Sequence, residues 1–149
     1  MSLFDDIDSS GLDAGSRHFG PHEGFAGVLL CASACDGHIG DEEAQILNIN
    51  LRQKQLYQRV SEHQMGSMMD RLLGELRRGG TEKLLDKAYP VVPHELRETV
   101  FANSVDIVLA DGVVEEDEKE FIDSLQAKLE IDPKRAKTIV QVMVYKNQG

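Results

Sequence analysis

Two stretches decide how this chain is read: ACDGHIGDEE at positions 34–43 and LADGVVEEDE at positions 109–118. Laid over each other, Asp36 matches Asp111, Gly37 matches Gly112, Ile39 matches Val114 and Glu43 matches Glu118, each pair 75 residues apart. The local reading makes each stretch a helix–turn–helix corner. Glycine ends one helix because it accepts a left-handed backbone. The aliphatic residue before the next helix staples onto its first turns. Glu43 and Glu118 stand three residues after Gly40 and Glu115, where a carboxylate reaches back to backbone N–H groups that a helix start leaves unpaired. Asp41, Glu42, Glu116 and Asp117 fall in the first turn, where the helix dipole favours negative charge by roughly 0.3–1 kcal/mol each.

The same letters support a second reading. Asp-Gly-x-aliphatic-x-x-x-Glu is the second half of an EF-hand calcium loop. The first half is missing, because its leading ligand positions fall on Ala32 and Ala34 in one copy and on Ile107 and Leu109 in the other. A complete EF-hand is therefore excluded, and a half-loop offers too few oxygens for calcium. If the chain folds with a pseudo-two-fold axis, however, Asp36, Glu43, Asp111 and Glu118 converge. Four close carboxylates cannot all stay ionised without a cation or protons. Magnesium, calcium or manganese suits oxygen ligands, and zinc suits them less. Both readings stay open at this point.

Bulk properties narrow the function classes. The chain has 149 residues, enough for one domain with its own core. Sixteen basic residues against 26 acidic ones give a net charge of −10. Such a surface repels phosphates, so no nucleic-acid partner is expected, whereas cations or basic proteins are suitable partners. Tryptophan is absent and aromatics make up 5%, so aliphatic side chains and methionine must fill the interior. The longest weakly polar run, Gly24 to Cys35, is 12 residues, too short to span a membrane. MSLFDDIDSS has neither a basic region nor an apolar stretch, so no secretory signal is expected. Cys31 and Cys35 lie one helical turn apart, poorly spaced for a structural disulfide, and a cytoplasmic protein with reduced thiols is expected.

Residues 1–20 read as a flexible acidic arm, with Phe4 and Ile7 as its apolar groups. Residues 21–149 read as one helical domain, with repeat halves at about 21–60 and 93–147. Phe25, Val28, Leu29, Ala32 and Cys35 recur at helical spacing after Pro21. A second helix starts near Asp41 and turns Ile46, Leu47 and Leu51 inward. A third is expected from about Lys54, with Leu56, Tyr57 and Val60 inward. Met65 to Arg78 makes a fourth. RRGGT ends it, and Thr81 caps a short helix holding Leu84, Leu85 and Ala88. Two prolines in YPVVP break the chain. Further helices follow from Pro93 to about Leu109, from Glu116 to Leu129, and after the Asp132-Pro133 cap. The expected fold is all-α, a single compact bundle of seven to eight helices with an internal pseudo-two-fold duplication.

The stretches ASACDGHIGDEEAQIL and VDIVLADGVVEEDEKEFI resemble the two signature stretches of the TerB-like, tellurite-resistance-associated family of bacterial proteins. LEIDPKRA also resembles the group. The likeness covers about Phe25 to Val144 in order and spacing, and the C-terminal copy is the closer match. Cys35 stands where the family usually has alanine before Asp-Gly, and Asp117-Glu118 replaces a Glu pair with its charge kept. The resemblance implies a duplicated helical bundle with an acidic metal-binding centre. It also implies a role in tellurite resistance or stress response beside partner proteins of such a system, and it implies no catalysis.

Other candidates have weaker chemistry. Cys31, Cys35, His38 and Asp36 suggest zinc, yet Val28, Leu29 and Ala32 crowd the same face, and a buried thiol behaves as a small hydrophobe. Asp106 sits in a mostly apolar helix. It supports the acidic centre, pairs with a cation elsewhere in the chain, or faces solvent. The five histidines follow no repeated spacing, and the methionines of QMGSMMDRLLGEL read as core. The first function class is then a non-enzymatic metal-binding protein with Asp36, Glu43, Asp111 and Glu118 at its centre. Asp41, Glu42, Glu115, Glu116, Asp117 and Asp106 would flank that centre. The second is an interaction module whose acidic face docks a basic partner without metal. A metal-assisted hydrolase is a third, for which the sequence offers no nucleophile.

Overall fold

The computed structural model describes residues 19–35, 39–110 and 112–149. These residues are helical, with no strand among them. Six α-helices follow one another among the described residues: α1 Pro21–Ser33, α2 Asp41–Arg52, α3 Glu62–Ala88, α4 Arg97–Leu109, α5 Glu116–Lys128 and α6 Pro133–Lys146. Single 3-10 turns at Gln55–Tyr57, Tyr89–Val91 and His94–Leu96 fill the connections. The expected arm falls outside the described residues apart from Phe19 and Gly20. Phe19 packs against the core, and Gly20 caps α1 with its N–H donating to Glu23 Oε1 at 2.9 Å.

Two places separate this count from the expected seven to eight helices. The break at RRGGT is present, but it is a bend inside α3, where Gly80 takes a left-handed φ of 84° and ψ of 175°. Only glycine adopts that backbone readily. The helix expected from Lys54 is instead a single 3-10 turn. Ser61 and Gln64 form a capping box that starts α3 early, with reciprocal bonds of 3.0 and 3.1 Å. Too few residues remain before it for a full helix. The turn is held from the side. Tyr57 Oη donates to His22 O at 2.7 Å, and His22 Nε2 lies 2.9 Å from Leu56 O.

α1 is apolar all round, and such a helix belongs at the centre of a core. Every residue from Gly24 to Ala32 is buried, and the helix packs chiefly against α3 and α4. Its glycines permit this approach. A Cβ on Gly24 would lie 2.8 Å from Ala88 O, and one on Gly27 would lie 2.9 Å from Ala88 Cβ. Met65, Leu72 and Leu84 of α3 and Val100 and Phe101 of α4 complete the fully enclosed interior, each such side chain contributing about 1.5–3 kcal/mol by burial. α2 buries only Leu47 and Leu51. Ile46, expected inward, is 55% exposed, because one residue from Leu47 is a rotation of about 100° away from that narrow stripe. α5 and α6 pack on α4. Asp132 starts α6 as expected, its Oδ2 accepting from Lys134 N at 3.1 Å and Arg135 N at 3.2 Å.

Candidate functional site

The two acidic stretches join α1 to α2 and α4 to α5. α1 and α4 have 13 residues each, and α2 and α5 have 12 and 13. The residue preceding each second helix has almost the same backbone: Gly40 at φ −80°, ψ 163° and Glu115 at φ −76°, ψ 163°. The Gly40 N–H donates to Glu43 Oε1 at 3.2 Å, and the Glu115 N–H donates to Glu118 Oε1 at 2.8 Å. Ile39 and Val114 are both half-buried, and Gly112 takes a positive φ of 81°. The helix-start role is thus realised in both copies. It engages one oxygen of each glutamate, and the other accepts no hydrogen bond among the described residues.

Glu43 and Glu118 also line one cleft of about 420 Å³. Ser33 and Ala110, at the ends of α1 and α4, form part of its wall, as does Asp106 of α4. Lys146 and Asn147 close it from the end of α6. Glu43 and Glu118 therefore lie on the same side of the molecule. Three carboxylates and the ammonium of Lys146 line this space, where the negative ends of α1 and α4 meet the positive starts of α2 and α5. Asp36 and Asp111, the other half of the expected centre, lie outside the described residues. Among the described residues no group of three or more His, Cys, Asp or Glu side chains is placed to hold a metal ion.

The flanking acids divide. Asp41, Glu42, Glu115, Glu116 and Asp117 are exposed and do not line this cleft. Asp41 lies 4.0 Å from Arg77 and Glu116 lies 3.9 Å from Lys119, exposed pairs that contribute little. Asp106 does line the cleft, and its cation is Lys146. Lys146 Nζ donates to Asp106 Oδ1 at 3.1 Å, and Asn147 Nδ2 donates to the same oxygen at 2.8 Å. Neither Lys146 nor Asn147 was legible as a site residue, since only the packing of α6 on α4 brings them across 40 positions. A basic residue in a last helical turn was the available signal.

Two further cavities are present, of which the first adjoins this cleft. One of about 350 Å³ shares Leu47, Asn50, Asp106 and Ile107 with the first and holds Lys54. Lys54 donates to Asn103 Oδ1 at 2.8 Å. Burial lowers its pKa, and the Asp106 charge offsets part of that shift. The other, of about 550 Å³, lies between the second half of α3 and α5. Glu82, Asp86, Asp117 and Glu120 line it with Cys35 and Lys128. The thiols do not converge on one ligand. Cys31 is buried with its Sγ donating to Thr81 O at 3.5 Å, whereas Cys35 Sγ donates to Ala32 O at 3.1 Å and lines the cavity. Burial pushes the Cys31 pKa far above the ordinary thiol value, and Cys35 adds to the shift. That suits packing and opposes the thiolate that zinc requires. His38, the remaining zinc candidate, lies outside the described residues.

No described helix is long and apolar enough to cross a membrane. No family model, curated protein or solved structure matches this chain.

Proposed function

We propose that this is a non-catalytic, cation-binding helical protein of the TerB-like kind, acting in the cytoplasm in tellurite resistance or stress response with partner proteins of that system. In this reading the two helix pairs are halves of a pseudo-two-fold duplication. Asp36, Glu43, Asp111 and Glu118 hold one magnesium, calcium or manganese ion between them. The observation that carries the reading is the shared cleft: Glu43 and Glu118, 75 residues apart in sequence, line the same 420 Å³ space. Each has one oxygen occupied in starting its helix and one left for a ligand.

The test is calorimetric titration of the metal-free protein with each ion, repeated on the Asp36→Asn, Asp111→Asn double variant. Binding that is strong in the parent and lost in the variant is the expected result. Equal heats from the two proteins would end the proposal.

A second reading is favoured by one contact. The ammonium of Lys146 already sits against Asp106 in this cleft, which makes a basic side chain from a partner protein an alternative occupant. Capture of a basic partner would then weaken with salt and with loss of the same carboxylates, and would survive a chelator. A chelator that abolished capture would return the site to the metal.

A further inference from the structure

α6 faces the core on one side and solvent on the other. Ala136, Ile139, Val140 and Met143 turn inward. Lys134, Lys137, Val142 and Tyr145 are exposed on the opposite side, as helical spacing requires. One end of this outer face is apolar, with Val142 50% and Tyr145 62% exposed. The other end is cationic. Arg135 pairs with Glu98 and Lys146 with Asp106, but Lys134 and Lys137 make no ion pair among the described residues. α6 contains no acidic residue, in a chain whose net charge is −10. Free cations beside uncovered apolar side chains suit an acidic segment that carries apolar residues of its own.

Such a segment precedes α1. Residues 1–18, which lie outside the described residues, hold Asp5, Asp6, Asp8 and Asp13 against Arg17. Phe4 and Ile7 are three residues apart, the spacing of Val142 and Tyr145. The reach suffices. The segment departs from Phe19, which is packed on the core beside Lys87, and a chain of this length spans up to about 60 Å when extended. A domain of roughly 130 residues has a radius of gyration of only about 14 Å. We infer that the outer face of α6 is the docking site of the acidic segment before α1, with Phe4 and Ile7 against Val142 and Tyr145 and the neighbouring aspartates beside Lys134 and Lys137. This is independent of the cation-binding reading. A second copy competes poorly, because two chains of net charge −10 repel each other, whereas tethering holds the segment at an effective concentration on the order of millimolar. A contact of about millimolar strength is then made roughly half the time. The segment thus shields the face in part, and a partner that binds α6 from outside must displace it.

The experiment treats the full chain with a carbodiimide, which joins a lysine amine to a carboxylate only where the two meet, and locates the new amides by mass spectrometry. Links from Lys134 or Lys137 to Asp5, Asp6 or Asp8 should form within the monomer, with a yield that dilution leaves unchanged and that high salt reduces. They should be lost in the Phe4→Ser, Ile7→Ser double variant and also in Val142→Ser, an exposed position; circular dichroism confirms that each protein is folded. Absence of these links in the parent overturns the inference, as does their retention in either variant. Links found only in a dimer, with a yield that falls on dilution, assign the face to a second copy and overturn it as well.

Discussion

Removing Glu43 and Glu118 singly and together separates a pair of helix starts from a shared cation site, because independent helix starts add, whereas a shared site couples them with one sign in the absence of the ion and the other in its presence. The Glu118 bond is 2.8 Å long and its residue half-buried, whereas the Glu43 bond is 3.2 Å and its residue exposed. Glu118→Ala should therefore cost about 1 kcal/mol and Glu43→Ala about 0.5 kcal/mol, within the range for helix-start contacts. At a domain of this size, 1 kcal/mol is a melting shift of about 2–4 °C. Independent caps would add to about 1.5 kcal/mol. Carboxylates facing one cleft repel each other, so either single change also relieves strain that the double change relieves only once. Without metal, the loss in the double variant should exceed the sum of the singles by about 0.5 kcal/mol. With metal at 100 times its dissociation constant, the parent gains about 2.7 kcal/mol. Either single change forfeits much of that gain, so the loss in the double variant should now fall short of the sum. Urea denaturation of the four proteins, with and without manganese, measures both couplings. Additivity within about 0.3 kcal/mol under both conditions would refute the claim that the glutamates share a site.

Two further perturbations test the helices of the core. Gly66→Ala should stabilise the protein by about 0.5–1 kcal/mol, since a Cβ there meets nothing within 4 Å and alanine is the better helix former. Gly24→Ala should destabilise it by about 1–3 kcal/mol, since its Cβ would lie 2.6 Å from Val91 Cγ2 and 2.8 Å from the Ala88 carbonyl; thermal melts of both variants check the opposite signs. Stability should decline at both ends of the pH range. The Lys87 hydrogen bond, helped by Arg78, holds the Glu75 carboxyl below its ordinary 4.5, so its contribution is present above that value and fades as pH falls through the lower folded value. Burial raises the Cys31 and Tyr57 pKa values above their ordinary 9.0 and 10.0. At alkaline pH the unfolded chain therefore ionises first and stability falls. Glu75→Gln should flatten the acid limb of a pH-denaturation profile, and Cys31→Ala the alkaline limb.

The helices were legible where a local rule acts alone. Asp132-Pro133 opens α6, Pro21 opens α1, and the glycines of RRGGT bend α3, each through backbone chemistry that a few neighbours determine. The segment after Arg52 was misread because its apolar residues recur at helical spacing, while the space available is set by where Ser61 starts the next helix. Ile46 was misplaced for a related reason. The pattern identified an apolar stripe, but its width depends on how closely α2 approaches α1 and α3. In the site, the capping role of Glu43 and Glu118 could be read from three-residue spacing. Their common cleft depends on how α1 and α4 lie together, and the partner of Asp106 depends on where α6 ends. Both are tertiary facts without a local signature.

The enclosure of Tyr57 also determines what this protein emits under ultraviolet light. With no tryptophan and three tyrosines, its fluorescence comes from Tyr57, Tyr89 and Tyr145. Tyr57 is 1% exposed at the junction of α1 with the Gln55–Tyr57 turn, and Tyr145 is 62% exposed beside Lys146. An aqueous quencher such as iodide or acrylamide reaches the second and is shut out from the first. Emission that survives quenching therefore follows the centre of the bundle, and the quenchable part follows the end of α6, with no dye attached.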